Sequence, residues 1–275
     1  MYSTLMVYLD PFADNTHLLQ ITRDLAERFN ASVLGVSASR LVGVGYDVSG
    51  IPGGVVDRGR GELDEAMEAA EQAALAILQR PGCEIEWRSI VDTCPLEASV
   101  IRETRGADLI IASANYFGSL TRGTPYLNIR DVVMQSGRPV LIIPPATTEL
   151  KARNVLVGWN DSRESRRAVS DALPLLQTAE RVVVVQIASE KNADRARESV
   201  AGVARWLKRH QVTAECMIVS EQGRNGPQLG VVAEKEGIDL IVAGAYGHNR
   251  FHEFALGGVT RNLLLYGDLC ALVSH

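Results

Sequence analysis

The sequence predicts an α/β fold of two tandem domains, each a five-stranded parallel sheet with helices on both faces. Strand-like apolar runs alternate with segments of helical period, which is typical of a parallel sheet covered by helices. In addition, the run Asp108-Leu-Ile-Ile-Ala112 recurs 131 residues later as Asp239-Leu-Ile-Val-Ala243. In the same register Arg130 corresponds to Arg261 and Leu141 to Leu272. The chain is therefore expected to hold two copies of one supersecondary plan.

The first copy is predicted at residues 1–145. Its opening strand is set by the run Leu5-Met-Val-Tyr-Leu-Asp10, which matches Val155-Leu-Val-Gly-Trp-Asn160 at a distance of 150 residues. The change in spacing implies an insertion of roughly twenty residues in the first copy, which we assign to the glycine-rich connection at 41–61. The predicted strands are 5–9, 32–36, 84–90, 109–112 and 140–143. The predicted helices have the apolar positions Leu18, Ile21, Leu25 and Phe29, then Leu63, Met67, Ala70 and Ala74, and two more cover 95–105 and 128–135.

The second copy is predicted at residues 154–275, after a linker at 146–153. Pro144 and Pro145 cannot continue a strand ladder, so the linker is expected to follow them directly. The predicted strands are 155–159, 182–187, 213–218, 240–243 and 270–273. A helix is expected to open at Asp161-Ser-Arg-Glu164, with Asp161 as an acidic cap and Glu164 three residues on. The other predicted helices have Ala196, Val200, Val203 and Leu207 facing inward, or cover 228–236 and 259–266.

Composition excludes several classes of function. The chain has 275 residues, 46% hydrophobic and 22% charged, as expected for a soluble globular protein. The net charge of −5 argues against nucleic acid or an anionic membrane surface as a partner. Because Met1 leads at once into the first strand and no apolar run approaches the length of a membrane span, a cytoplasmic protein is expected.

The four cysteines do not suggest a zinc site or a disulfide framework, because they form no C-x-x-C pair and have no nearby histidine at ligand spacing. Cys216 and Cys270 lie in predicted strands and are expected to be buried. Cys94 precedes a predicted helix, where a helix N-terminus lowers a thiol pKa; an inert loop thiol is the alternative.

A glycine-spaced loop near the C-terminus is the most informative motif. Gly244-Ala-Tyr-Gly247 follows the apolar run of the fourth strand, and nine residues later comes Gly257-Gly258-Val259-Thr260, where a helix is predicted to begin. Backbone N–H groups and a helix N-terminus together favour an anion such as phosphate. This spacing resembles the nucleotide loop of the universal stress protein family, and nearly the whole chain outside 41–61 is similar to a tandem member of that family, with Rossmann-like domains of the adenine nucleotide alpha hydrolase type.

The resemblance implies an ATP, ADP or AMP site in the second copy, with or without Mg²⁺ bridging the phosphates. At its start, Asn160 takes the position of the family's aspartate beside the adenosine. Gly244, Gly247, Gly257 and Gly258 take the loop positions, Val259 and Thr260 stand at the helix start, and His248 and Arg250 add positive charge between them. Other interpretations stay open: Asn160 as a turn residue, Thr260 as a helix cap, the two cations as part of a solvated loop, and Trp159 as core packing instead of a wall for the base.

The sequence also departs from the family pattern. Asn160 carries no charge, and Gly258 stands where the family usually has a hydroxyl, for which Thr260 partly compensates. In the first copy Asp10 keeps the aspartate, but Ser113, Tyr116, Tyr126 and Leu127 replace the four loop glycines. That copy is therefore expected to be structural or regulatory and not to bind ATP as the family does.

Two hypotheses of function remain. The first is a stress-response protein that binds an adenine nucleotide in its second domain, with slow or no hydrolysis, since no nucleophile, base and orienting acid form a recognisable motif. The second is a nucleotide-independent interaction module that acts through association surfaces. The short apolar last strands of the two copies are expected to pair with each other, as an intrachain pseudo-dimer, and a homodimer of such chains is the other option.

Overall fold

The computed structural model describes residues 1–40, 53–114, 127–221, 228–245 and 269–275, and for 53–60 the backbone alone. The elements of the first half are β1 (Thr4–Leu9), α1 (Thr16–Phe29), β2 (Ser32–Arg40), α2 (Gly53–Leu78), β3 (Ile85–Asp92), α3 (Leu96–Glu103), β4 (Leu109–Ser113), α4 (Ile129–Gln135) and β5 (Val140–Ile143). The elements of the second half are β6 (Asn154–Gly158), α5 (Arg163–Asp171), α6 (Leu173–Leu176), β7 (Arg181–Ala188), α7 (Ala193–Arg209), β8 (Ala214–Ser220), α8 (Gln228–Lys235), β9 (Leu240–Gly244) and β10 (Cys270–Ser274).

The strands of the described residues form one ten-stranded sheet in the order β3-β2-β1-β4-β5-β10-β9-β6-β7-β8. Within each half the neighbouring strands are parallel, and the two halves have the same order read from opposite ends. The halves join where β5 and β10 pair antiparallel, with Leu141 opposite Leu272. The expected α/β fold and the internal pairing of the last strands are therefore confirmed.

The central strands are apolar throughout because helices cover both faces of the sheet. On one face Leu5, Val7, Val155 and Val157 belong to a single core that runs through both halves under α1, α2, α5, α6 and α7. On the other face each half has a core of its own, around Ile110 in the first half and Ile241 in the second. The shared core makes the two halves one folding unit on that side of the sheet.

Most elements agree with the predictions from hydrophobic period. The predicted inner faces of α1 and α7 are buried, and β5 ends at Ile143, directly before the two prolines. β2 continues to Arg40, four residues beyond its predicted end, because it pairs with both β1 and β3 and stays buried through Ser39. The domain limits at 145 and 154 stay predictions.

The start of one helix and the burial of one cysteine differ from the predictions. The helix α2 begins at Gly53, inside the stretch assigned to the glycine-rich connection. Relative to alanine, a glycine in a helix interior costs only about 1 kcal/mol of helix stability, whereas a proline costs about 3 kcal/mol. The sequence after Pro52 contains no proline until Pro81, so a helix can extend through these glycines. Cys216 is exposed, because β8 is an edge strand of the sheet and only partly covered. Cys270, in the central strand β10, is buried as expected.

The remaining predicted segments lie outside the described residues. These are most of the connection at 41–61 and the helix at 259–266. In the part of the chain that is described, no helix combines the length and the apolar character needed to cross a membrane.

Candidate functional site

The strand order places a switch point in each half. In the second half, β6 pairs with β7 on one side and with β9 on the other, so the connections leave β6 and β9 in opposite directions. In such sheets ligands bind in the crevice beyond the carboxyl ends of the two strands at this point. Asn160 follows β6 and Gly244 ends β9, so the structure brings together two of the predicted site residues at the switch point.

Asn160 is exposed and its side chain forms a turn. Its Oδ1 accepts a hydrogen bond from the backbone nitrogen of Ser162 at 3.2 Å. Asp10, the corresponding residue of the first half, accepts in the same way from the nitrogen of Phe12 at 2.9 Å. Asparagine and aspartate favour this local bond, which fixes the course of the chain after a strand. The interpretation of Asn160 as a turn residue is therefore confirmed. Among the described residues its Nδ2 has no hydrogen-bond partner.

The helix α5 begins differently from the prediction. Its cap is Ser162, whose hydroxyl accepts from the backbone nitrogen of Ser165 at 3.1 Å. Asp161 is not the cap, because the turn at Asn160 places it at φ 56°, outside the geometry of a capping residue. Its carboxylate instead accepts from Arg166 at 2.8 Å. The start of α5 is thus held by two serines and faces the switch point.

Gly244 packs against the start of α5. A Cβ built on Gly244 would lie 2.5 Å from the carbonyl carbon of Glu164, and closer still to the backbone nitrogen of Ser165. Both obstacles are backbone atoms of the helix, which cannot turn aside as the end of a side chain can. The lack of a side chain at Gly244 therefore has a packing reason that is independent of any ligand.

The end of β10 anchors the chain as it leaves β9. The backbone nitrogen of Ala245 donates to the carbonyl of Ser274 at 2.8 Å, and the His275 Nδ1 lies 3.0 Å from the carbonyl oxygen of Ala245. In the first half, Ala114 donates to Ile143 in the same way, also at 2.8 Å. These bonds fix the direction in which the glycine loop begins.

Two polar groups lie buried beside Gly244. Ser274 is directly opposite Gly244 in the β9–β10 register and is 1% exposed, and its hydroxyl has no hydrogen-bond partner in the structure as described. Glu164 is also buried, and its carboxylate pairs with Arg163 at 3.1 Å. Burial would raise the pKa of Glu164, but hydrogen bonds from its own backbone and from Ser162, with the charges of Arg163 and His275, hold that pKa below its ordinary value. The carboxylate is thus ionised at neutral pH.

Trp159 belongs to the core. Its side chain is 7% exposed and its Nε1 donates to Ser199 of α7 at 2.9 Å. The indole thus lies on the α5–α7 face of the sheet, and the interpretation of Trp159 as core packing is confirmed.

Cys94 is exposed, and its backbone nitrogen donates to the Asp92 carboxylate at 3.1 Å.

The other predicted site residues lie outside the described residues, so the structure does not test them. They are Gly247, His248, Arg250, Gly257, Gly258, Val259 and Thr260. Of the residues that replace loop glycines in the first half, Ser113 ends β4 at the position of Gly244, and Leu127 is buried.

Comparison with known proteins agrees with this arrangement. Residues 151–268 match the sequence profile of the Universal stress protein family. Within residues 151–268 the chain has the sequence pattern of a universal stress protein domain. No curated protein sequence matches this chain.

Solved structures extend the likeness of fold to both halves. A universal stress protein from Archaeoglobus fulgidus DSM 4304 has a TM-score of 0.71 and 12% identity, with 98% of this chain and 97% of that chain covered. A functionally unknown protein from Pseudomonas aeruginosa PAO1 has a TM-score of 0.61 and 12% identity, with 99% of this chain and 92% of that chain covered. A universal stress protein from Archaeoglobus fulgidus solved in complex with dAMP is 19% identical, with a TM-score of 0.35, over 51% of this chain and 97% of that chain.

Sequence reasoning missed three residues that border the switch point of the second half. The sequence predicts Glu164 only as part of a helix start, and it assigns no role to Ser274 and His275, which follow the strand predicted at 270–273. The sequence did contain a signal for Ser274, because a hydroxyl directly follows the apolar run Ala271-Leu-Val273. In β-strand geometry Ser274 lies on the same face as Leu272. Nothing in the sequence indicated that β10 lies beside the exit of β9.

Proposed function

We propose that the second half binds an adenine nucleotide in the crevice beyond β6 and β9. The observation that carries the proposal is the position of Asn160 and Gly244, which end adjacent parallel strands on either side of the switch point, in a segment that matches the Universal stress protein family. This crevice is where doubly wound sheets hold nucleotides. The glycine spacing after Gly244 supplies the second support, because it predicts a phosphate loop.

The roles of the residues follow from their chemistry. Asn160 would contact the nucleoside through its Nδ2, since its Oδ1 accepts the turn hydrogen bond. The phosphates would lie on the backbone N–H groups of the loop that contains Gly247, Gly257 and Gly258, with the helix start at Val259 and Thr260. His248 and Arg250 would add positive charge, and Mg²⁺, when bound, would neutralise charge on the phosphates. The hydroxyl of Ser274 is buried beside Gly244 and has no partner among the described residues, which fits a site that is polar at this edge.

The first half has a structural or regulatory role in this proposal. It has the same strand order and the same turn at Asp10, and its Ser113 stands where the second half has Gly244. In the second half α5 leaves no room for a side chain at that position, so the two strand ends are packed differently. The role in stress response and the cytoplasmic location that the family resemblance implies are part of the same proposal.

One observation favours the alternative, a nucleotide-independent interaction module. The residue types at 160 and 244 are both explained by the fold. Asn160 forms the turn to Ser162, and Gly244 lets α5 pack closely on β9. A domain could keep both residues for its fold alone. The two functions are therefore separated by measurement of the ligand and not by the presence of these two residues.

The test is calorimetry of the nucleotide-stripped chain with ATP and Mg²⁺, followed by ADP, AMP and dAMP. Gly247→Val removes the permissive backbone of the loop, and Gly106→Val is the matched control, because nothing lies within 4 Å of a Cβ at Gly106. We expect one site per chain that is lost in Gly247→Val and kept in Gly106→Val. Equal ATP affinity in both variants would show that the assigned site is wrong.

Absence of heat from a wild-type chain that melts cooperatively would support the interaction module instead. Slow or absent hydrolysis is tested on the same preparation by phosphate release over hours. Turnover faster than about one per second would place the protein among ordinary enzymes and contradict this part of the proposal.

A further inference from the structure

A cavity of about 500 Å³ lies between α5 and α7, on the face of the sheet that these two helices cover. Its lining includes no residue of β9 or β10, so it is separate from the crevice at Gly244 within the described residues. The lining residues are Trp159, Asp161, Arg166, Val169, Ser199, Gly202, Val203 and Trp206. This volume is within the range of about 300–1,000 Å³ that small-molecule sites occupy.

The cavity has a clear origin in the sequence of α7. Ser199, Gly202, Val203 and Trp206 are spaced i, i+3, i+4 and i+7, which places them on one face of the helix. At the centre of that face Gly202 has no side chain, and nothing lies within 4 Å of a Cβ built there. In the first half, by contrast, the corresponding helices α1 and α2 pack against each other. The gap is therefore a feature of the second half alone among the described helix pairs.

The lining is aromatic and apolar in its depth and polar at one end. Trp159, Val169 and Val203 are buried, and Trp206 is half-buried with its ring 4.3 Å from that of His210. Indole faces favour planar rings, which stack on them or meet them edge to face. The lining thus matches a flat aromatic molecule better than a sugar or a chain of charged groups.

The polar end offers hydrogen-bond donors. The Ser199 Oγ accepts from the Trp159 indole, so the hydroxyl proton of Ser199 is directed elsewhere and can donate into the cavity. Arg166 holds Asp161 through its Nε and one terminal nitrogen. The other terminal nitrogen has no partner in the described part of the chain and can donate as well. Because Asp161 neutralises Arg166, the pair does not demand a particular net charge of its ligand. It demands an acceptor.

From this arrangement we propose that the α5–α7 cavity binds a planar aromatic small molecule that carries a hydrogen-bond acceptor, such as an aromatic carboxylate or sulfonate. The ring lies between the indoles of Trp159 and Trp206, and the acceptor meets Ser199 and Arg166. Two of its lining residues, Trp159 and Asp161, flank Asn160 in the chain, but Asn160 itself does not line the cavity. The proposal therefore stands whether or not the nucleotide site exists.

The experiment uses 8-anilinonaphthalene-1-sulfonate as the probe, with the full chain. Binding is followed by dye fluorescence excited through the tryptophans. Gly202→Leu fills the cavity from a position with open space and replaces a helical glycine, so it should not destabilise the fold. Gly230→Leu, at a position in α8 that is equally open, is the matched control.

We expect one dye site per chain in the wild type and in Gly230→Leu, and a loss of affinity of at least about tenfold, or about 1.4 kcal/mol, in Gly202→Leu. Saturating ATP should leave the dye bound. Equal dye affinity in all three proteins would overturn the proposal, as would displacement of the dye by ATP. A wild-type dimer that becomes a monomer in Gly202→Leu, with no dye site in either, would assign the cavity to a second copy of the chain and refute a small-molecule site.

Discussion

Replacement of Gly244 by alanine tests the packing of β9 on α5 in the absence of any ligand. The new Cβ would lie 2.5 Å from the Glu164 carbonyl carbon and 2.8 Å from the Glu164 Cβ, both far inside van der Waals contact. The atoms that obstruct it belong to the first turn of a helix that is capped by Ser162 and covers a shared core. The helix start must therefore move as a unit.

The size of the effect follows from comparable cases. Overpacking of a filled interior costs about 1–3 kcal/mol, and the upper end applies here because backbone must shift. In a chain of this size each kcal/mol lowers the melting temperature by roughly 2–4 °C, so we expect a fall of about 6–12 °C. Gly158→Ala is the control, since a Cβ there would meet at 2.9 Å only the Cδ2 methyl of Leu229, which can rotate away.

The assay is thermal and urea unfolding of the ligand-free proteins, with circular dichroism as the signal. We expect Gly244→Ala to be less stable than the wild type by about 3 kcal/mol and Gly158→Ala by less than about 1. If Gly244→Ala were as stable as the wild type, the close approach of α5 to β9 could not be the reason for glycine at this position. Its role would then rest on the nucleotide alone.

Three further outcomes are expected. Glu164→Gln should be less stable than the wild type by about 1–2 kcal/mol at pH 7 in urea unfolding, since an ionised, hydrogen-bonded carboxylate is lost. Because the folded pKa of Glu164 is depressed, its contribution is present above the ordinary value of 4.5 and is lost as the pH falls through the lower folded value, so the difference should vanish in acid. In thiol titration of the native chain, Cys94 should react quickly, and Cys216 should react more slowly because partial burial raises the pKa of its thiol. Cys270, whose pKa burial raises to about 12, should react only on unfolding. Leu272→Ala, in the strand that joins the halves, should cost about 2–5 kcal/mol in the same unfolding assay, because the side chain is fully buried.

Each of these has a result that would contradict it. A Glu164→Gln difference that stays constant from pH 7 down to the most acid pH at which the chain is folded would mean that the charge is not the cause. Rapid modification of Cys270 in the folded chain would contradict its central position in the sheet. A loss below about 0.5 kcal/mol in Leu272→Ala would mean that β10 contributes little to the join between the halves.

The sequence by itself determined the fold class and nearly all the elements. Local signals sufficed because the inner faces of α1 and α7 repeat at helical period and the central strands are continuous apolar runs. Both patterns depend only on neighbouring residues. The duplication, with Asp108 and Asp239 in the same register, then determined that the two halves share one strand order. Given that order, general rules of parallel sheets placed Asn160 and Gly244 at one switch point.

Other features were decided only by tertiary structure, because they depend on residues that are distant in sequence. The exposure of Cys216 follows from the edge position of β8, which its own residues do not reveal. The cap of α5 is Ser162 and not Asp161, because the turn at Asn160 leaves Asp161 in a left-handed backbone conformation that a capping residue does not adopt. The contact of Gly244 with Glu164 arises because α5 crosses the end of a strand about eighty residues later in the chain, and no local pattern encodes such an approach.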